Sequence, residues 1–263
     1  MLTLAITGAA GRMGQRLIAL AGESGIFQVT AALEYAQHPK MGQDAGLTAG
    51  MGELGVPITA QPQVKPDVMI DFTTPASTMK WTDYCRENQV PLVVGTTGLT
   101  EPEKAKLQAA GEKTAVLIGA NMSLGVNLLF NLAAQVAKAL DDSYDIEIVE
   151  SHHRFKKDAP SGTALELARR IVAAKNWPWP AALTHGREGR EALRQPKTVG
   201  MHAVRAGDIV GIHDVIFSTL GETITLHHTA HTRDTFVRGA LHAAQWLAGQ
   251  KPGFYGMADV LGL

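Results

Sequence analysis

One cysteine, Cys85, serves 263 residues, so no intrachain disulfide can form. It sits in Trp81-Thr82-Asp83-Tyr84-Cys85-Arg86, which reads as helix, and a packed thiol is expected there rather than a nucleophile. No run of 18 apolar residues occurs, so no spanning helix is expected. Met1-Leu2-Thr3-Leu4-Ala5-Ile6 lacks a basic segment and carries only a short apolar run, a poor signal peptide. A cytoplasmic protein with no membrane partner is the expectation. Neither sign of charge dominates: 24 Lys and Arg stand against 25 Asp and Glu, a net charge of −1. That balance gives no global reason to expect nucleic acid as partner, although an average hides a local basic patch. Internal repeats and low-complexity tracts are absent. With 45% apolar and 19% charged residues, disorder and collagen-like composition are excluded. A chain of this length can bury roughly 70–75% of its unfolded surface, enough for a core without disulfides or metals.

What the chain does have is unevenly spread. Of ten histidines, only His38 precedes residue 150. The two halves also differ in pattern. Residues 2–6 read as an apolar strand, followed by Met13, Leu17, Ile18, Leu20 and Ala21 at helical spacing. Further strands are expected at 28–33, 68–72, 92–94 and 115–118, with helices at 75–87 and 101–110. Thr100 and Glu103 open the second of these in capping-box spacing. Residues 36–66 read as irregular. Strands alternating with helices imply a mostly parallel sheet covered on both faces. After residue 120 the pattern changes. A long helix is expected at 124–140, a half-buried strand at 145–150 and a helix at 161–174. A loop follows at 175–197, then three extended runs at 198–205, 209–219 and 223–229, separated by Ala206-Gly207-Asp208 and Leu220-Gly221-Glu222 as hairpin turns would be. The last strong helix is expected at 234–248. The whole reads as α/β with a second, smaller α+β part built on a mixed, largely antiparallel sheet.

Gly8-Ala9-Ala10-Gly11-Arg12-Met13-Gly14 follows the first strand and opens the first helix. Its glycines permit a tight turn, close approach of backbone to a pyrophosphate, and close helix–strand packing. The helix N-terminus adds N–H groups and a positive dipole end. Glu34 ends the second strand about 20 residues further on, where a carboxylate meets a ribose 2′-hydroxyl. A tight turn plus a surface glutamate is the plainer alternative, but strand, turn, helix, strand and acid occur in the order a dinucleotide site requires. Tyr35 follows where an arginine would hold a 2′-phosphate, so NADH is expected over NADPH. Gly95-Thr96-Thr97 and Gly119-Ala120-Asn121-Met122 also follow strands, at the edge that faces ligand in a parallel sheet.

The most unusual segment is Glu150-Ser151-His152-His153-Arg154-Phe155-Lys156-Lys157-Asp158-Ala159-Pro160-Ser161-Gly162-Thr163. Imidazoles exchange protons near neutral pH, and lysine supplies a charge or a proton. The helix opened by Ser161-Gly162-Thr163 makes a carboxylate cradle. An anionic carbonyl or imine substrate would use all of these; a solvated basic loop is the plainer reading. A zinc site drawn from His152, His153, His227, His228 and His231 is disfavoured, because adjacent residues on a strand point apart and no cysteine is near. No metal is expected. Whether His227, His228 and His231 adjoin a substrate or lie in the core stays open.

Four stretches together resemble the bacterial 4-hydroxy-tetrahydrodipicolinate (dihydrodipicolinate) reductases: Gly8 to Gly14, Gly95 to Gly98, Glu150 to Thr163, and Arg205-Ala206-Gly207-Asp208-Ile209-Val210-Gly211. The segment around His152 is the specific one; the glycine turn is shared by many dehydrogenases. The resemblance implies a Rossmann-type dinucleotide-binding domain at 1–123 and 233–263, and a substrate-binding and oligomerisation domain at 124–232. It implies reduction of a cyclic imine dicarboxylate in the diaminopimelate route to lysine, with hydride passing from NADH or NADPH to substrate C4 and the 4-hydroxyl lost as water. His152 would donate and accept a proton and Lys156 would donate one. His153, Gly162 and Thr163 would bind substrate. Gly8, Ala9, Ala10, Gly11, Arg12, Met13, Glu34, Gly95, Thr96, Thr97, Gly119, Ala120, Asn121 and Met122 would contact cofactor. A homotetramer, with domain closure over substrate, is also implied. Many members carry Arg after the acidic residue, and Tyr35 departs from that pattern. Two rivals differ in their needs. Another two-domain reductase of amino-acid metabolism has no reason for the His-His-Arg-Phe-Lys-Lys segment, and a dinucleotide sensor needs neither His152 nor Lys156.

Overall fold

The computed structural model describes all 263 residues, Met1–Leu263. The first part runs β1 (Leu2–Thr7), α1 (Arg12–Ser24), β2 (Phe27–Leu33), α2 (Ala45–Ala49), β3 (Ile58–Thr59), β4 (Val68–Asp71), α3 (Pro75–Asn88), β5 (Leu92–Val94), α4 (Glu101–Ala110) and β6 (Ala115–Ile118). Then come α5 (Leu124–Ala139), β7 (Asp145–His152), α6 (Gly162–Ala174), β8 (Leu183–His185), β9 (Val199–Arg205), β10 (Gly211–Thr219) and β11 (Glu222–Ala230). The chain ends with α7 (Asp234–Leu247), β12 (Gly253–Tyr255) and α8 (Met257–Leu261). It divides into two compact units, one of Met1–Leu124 with Asp234–Leu263 and one of Gly125–Arg233. No helix is long and apolar enough to cross a membrane.

The first unit holds a seven-stranded sheet in the order β12-β6-β5-β4-β1-β2-β3, parallel throughout. Strand periodicity explains its three layers. Leu4, Ile6, Val68, Ile70, Val93, Ala115 and Leu117 point into one core with α1 and α7 residues such as Leu17, Ile18, Ala240 and Leu247. Ala5, Met69, Leu92, Val94 and Val116 point the other way, into a core with Trp81 and Cys85 of α3 and Leu107 of α4. Cys85 is fully buried, and burial raises its thiol pKa well above the ordinary value. Thr100 N–H donates to Glu103 at 2.7 Å at the start of α4. The tract at 36–66 is more ordered than its composition predicts. Asp44 caps α2, and its carboxylate accepts N–H bonds from Leu47, Leu54 and Val56, closing the segment so that β3 can join the sheet edge.

The second unit holds a five-stranded sheet in the order β11-β10-β7-β9-β8. It is mixed: β10 pairs antiparallel with β11 and β7, and β9 pairs parallel with β7 and β8. One expected hairpin does not form. Ala206-Gly207-Asp208 carries the chain from β9 across β7 to β10, while Leu220-Gly221 makes the true hairpin to β11. A turn signature fixes a reversal of direction but not the partner, and β7, earlier in the chain, takes the central place. The 175–197 tract also supplies β8 at the sheet edge. One face of the sheet is apolar and covered: Ile146, Ile148, Val199, Met201, Val215 and Phe217 pack with Leu129 and Phe130 of α5 and Leu167 and Ile171 of α6.

Candidate active site

In a sheet of order 3-2-1-4-5-6, the chain runs to opposite sides from its first and fourth strands, opening a crevice at their C-terminal ends. Here those strands are β1 and β4, and the glycine turn leaves β1 at that edge. Gly8 has φ of +65°, a left-handed conformation. A Cβ on Gly14 would lie 2.1 Å from the Gly8 carbonyl oxygen, so only glycine lets α1 start this close to the turn. Gly11 is the N-cap and offers no side-chain cap to the first turn, and Arg12 beside it is exposed while Met13 is half-buried. Glu34 follows β2 and accepts the Ala10 N–H at 3.1 Å, while Ala9 N–H donates to Leu33. The turn is thus tied to the carboxylate that was expected to face a ribose.

The other predicted cofactor residues cluster at the same edge. Gly95 lies against the Phe72 ring, where a Cβ would come within 2.2 Å of a ring carbon. Thr97 and Ala120 are exposed, and Asn121 accepts the Ser123 N–H. Met122 is a core side chain, and its carbonyl packs against Gly239 of α7, where a Cβ would lie 1.8 Å from it. Met13, Phe72, Ala120, Asn121, Met122 and Phe236 line a hollow of about 240 Å3.

A buried carboxylate organises this edge, and pattern reading passed over it. Asp71 ends the apolar strand β4 and is fully buried. It accepts hydroxyls from Thr7 at 2.5 Å, Thr73 at 2.8 Å, Thr78 at 2.5 Å and Thr96 at 2.8 Å. Thr96 in turn accepts the Thr73 N–H. The loops after β4 and β5 are therefore joined through one acid. A charged residue inside an apolar strand, with threonines following several strands, was the available signal.

In the second unit the strand register builds the chemistry. Residues two apart on a strand share a face. On β7, Glu150 and His152 continue the face of Ile146 and Ile148. Glu150 is aligned with His213 of β10, which is aligned with His228 of β11; His152 is aligned with Arg205 of β9. The result is a cluster at one end of the sheet. His152 Nδ1 lies 2.5 Å from Glu150 Oε2. Arg205 forks onto the same carboxylate at 2.8 and 2.7 Å, and Ser161 N–H donates to it at 3.0 Å. Ser161 also N-caps α6 by accepting the Ala164 N–H. Glu150 and Arg205 were not among the predicted site residues; their spacing from His152 along β7 and across to β9 was the signal.

Charges here are tuned by these contacts. Burial raises the Glu150 pKa, but Arg205, His152 and the Ser161 N–H outweigh it and hold the carboxyl below its usual range. Burial, helped by the charges of Lys156 and Arg205, lowers the His152 pKa despite the Glu150 contact that raises it. His213, almost wholly buried and edge-on to His152 at 5.2 Å, is pushed by burial down to about 3 and stays neutral. Lys156 pairs with Asp158 at 2.9 Å and lowers its pKa. His153 Nε2 lies 3.4 Å from Arg233. Gly162 starts α6, is exposed, and a Cβ there would meet nothing within 4 Å, so packing gives no reason for glycine. His227 points to the opposite face and pairs with Asp214; His228 neighbours His213, and His231 is exposed. No group of three or more His, Cys, Asp or Glu is placed to hold a metal ion.

A glycine-floored crevice in a doubly wound sheet, carried on the same chain as histidines gathered around a buried carboxylate, defines a two-unit NAD(P)H-dependent oxidoreductase. Residues 2–122 match the family model described as dihydrodipicolinate reductase, N-terminus, and residues 125–261 that of its C-terminus. The chain belongs to the dihydrodipicolinate reductase family, oxidoreductases of lysine biosynthesis. It is 46% identical over 267 residues to 4-hydroxy-tetrahydrodipicolinate reductase of Geotalea uraniireducens, covering 100% of both chains. To that of Thiobacillus denitrificans it is 46% identical over 99% of this chain and 98% of the relative. Among solved structures, dipicolinate-bound dihydrodipicolinate reductase from Paenisporosarcina matches with a TM-score of 0.78 at 24% identity, over 98% of this chain and 99% of that one. Amine dehydrogenase from Mycobacterium smegmatis shares the fold with a TM-score of 0.61 at 16% identity, over 96% and 94%.

Proposed function

We propose that this chain reduces 4-hydroxy-tetrahydrodipicolinate to tetrahydrodipicolinate, with NADH preferred, in the cytoplasm and as a homotetramer. The unit of Met1–Leu124 and Asp234–Leu263 binds the dinucleotide; the unit of Gly125–Arg233 binds substrate and self-associates. The balance is substrate plus NADH plus one proton giving product, NAD+ and water. Bound NADH supplies the hydride, delivered to substrate C4.

The chain's own residues do the rest. The N–H groups of Arg12 and Met13 at the start of α1 hold the pyrophosphate, where the dipole favours an anion. Glu34, already fixed by the Ala10 N–H, accepts from the adenosine ribose, and Tyr35 stands where an arginine would pair with a 2′-phosphate. Main-chain groups of Gly95 to Thr97 and of Gly119 to Met122 would hold the nicotinamide. Gly162 and Thr163, at the start of α6, cradle one substrate carboxylate, and His153 contacts the substrate. Hydride addition to a conjugated imine builds electron density on it, which the Lys156 ammonium stabilises and to which it can pass a proton. His152 moves the proton that completes the reduction.

The observation that carries this reading is the half-buried His152 joined through Glu150 to the N-terminus of α6. It puts a proton-transfer group and an anion cradle on one support. A coupled assay that generates substrate in place and follows NADH oxidation tests it. Oxidation that requires substrate is the expected result, with Lys156→Ala slowed. NADH binding without substrate-dependent oxidation would instead favour a sensor.

A further inference from the structure

We infer that Glu150 is the positioning residue that sets the tautomer of His152, so that Nε2 is the nitrogen that exchanges the proton with substrate. This rests on the reading of His152 as the proton-transfer group.

The geometry leaves the carboxylate one role. Glu150 is fully buried, and Arg205 grips both of its oxygens while Ser161 N–H holds Oε1, so it cannot turn away. An ionised carboxylate only accepts hydrogen bonds. The nitrogen facing it at 2.5 Å, Nδ1, must therefore carry a proton in both the neutral and the charged ring. Nε2 is then the lone-pair nitrogen of the neutral ring and a donor when charged. Gly211 leaves room beside that nitrogen, since a Cβ there would crowd Nε2 at 3.2 Å. Arg205 cancels the Glu150 charge, so protonating the ring adds one positive charge where an anionic substrate is proposed to bind. The groups facing His152 are Glu150 of β7, Arg205 of β9, His213 of β10 with His228 behind it, and Lys156 with its partner Asp158 from the following loop.

The test is long-range 1H–15N correlation of histidine-labelled enzyme, with the His152 signals assigned by their loss in His152→Gln. At a pH where the ring is neutral, wild type should show the Nδ1–H tautomer, a result that needs no Glu150 variant to fold. Glu150→Gln offers an amide that donates as well as accepts, so the Nε2–H form should appear. There kcat should fall about 10- to 100-fold, less than the roughly 10²–10⁴-fold that the proton-transfer group itself contributes. KM for NADH should hold, and the limb of the kcat profile that follows His152 should move to lower pH. An Nε2–H tautomer in wild type, or undiminished kcat in folded Glu150→Gln, would overturn the inference. Undiminished kcat in His152→Gln would overturn the underlying reading instead, whatever the tautomer.

Discussion

The two units build their candidate site residues from opposite materials. At the edge of the parallel sheet the informative residues are those whose side chains are missing or turned inward. Gly14 lets the helix begin, Gly95 lies on Phe72, and Met122 is core. On the mixed sheet, register brings side chains together: Glu150, His152, Arg205 and His213 meet because they share a face. Each unit buries one carboxylate completely, and the partners differ. Asp71 is surrounded by four hydroxyls, neutral donors that fix loops. Glu150 is held by a guanidinium and an imidazole, partners able to carry charge. Both satisfy the rule that a buried charge needs donors. Only the second has a titrating group, the His152 imidazole, among its partners.

If that division holds, substitutions in the two units should damage different quantities. His152→Gln should lower kcat by roughly 10²–10⁴-fold and leave NADH affinity unchanged. Steady-state kinetics with a fluorescence titration of NADH would show it, and a shared loss of both would blur the division. Gly14→Ala should do the reverse. Its Cβ would meet backbone at 2.1 Å, so a cost of about 1–3 kcal/mol in stability and weaker NADH binding are expected. Gly162→Ala makes the control: with open space around it, stability should stay within about 0.5 kcal/mol while KM for substrate rises. A stability loss at Gly162 equal to that at Gly14 would make both glycines structural.

Acid should sharpen the contrast further. His213 is the one histidine buried in either unit, and its folded-state pKa is about 3 against 6.5 when unfolded. Between those values the unfolded chain binds a proton that the folded chain does not. Stability from this group is therefore present above pH 6.5 and is lost as pH falls toward 3, by at most about 1.4 kcal/mol per pH unit. Denaturant unfolding at pH 7.5 and pH 5 should show a loss of about 2 kcal/mol in wild type, and less in His213→Gln. Parallel losses in the two proteins would remove His213 as the cause.

Much of this was legible in the sequence because local rules applied. Glycine spacing, strand–helix alternation and Glu34 at the end of β2 are short-range patterns, and the parallel sheet follows from them. The histidine–lysine segment announced itself by composition. Pairing across the mixed sheet did not, because Ala206-Gly207-Asp208 signals a turn without saying that β7 intervenes. For the same reason Arg205 was legible only as part of a motif; its bond to Glu150, 55 residues away, depends on register. Asp44 and Asp71 were not singled out, since their donors come from several separate segments.

The smallest expected effect concerns which dinucleotide the parallel sheet prefers. Tyr35 is 59% exposed and touches His38 edge-on, so replacing it disturbs little packing. Tyr35→Arg would place a guanidinium next to the ribose position set by Glu34, able to pair with a 2′-phosphate. An exposed ion pair is worth about 0.2–1 kcal/mol, so kcat/KM for NADPH should rise by only about 1.5- to 5-fold. The value for NADH should hold, because the Glu34 contact with Ala10 is untouched. Raising salt should shrink the gain, as screening of an exposed pair requires. If wild type already uses NADPH as well as NADH, the carboxylate does not discriminate. The parallel-sheet unit would then recognise its ligand through backbone alone, a sharper contrast with its partner than the one drawn above.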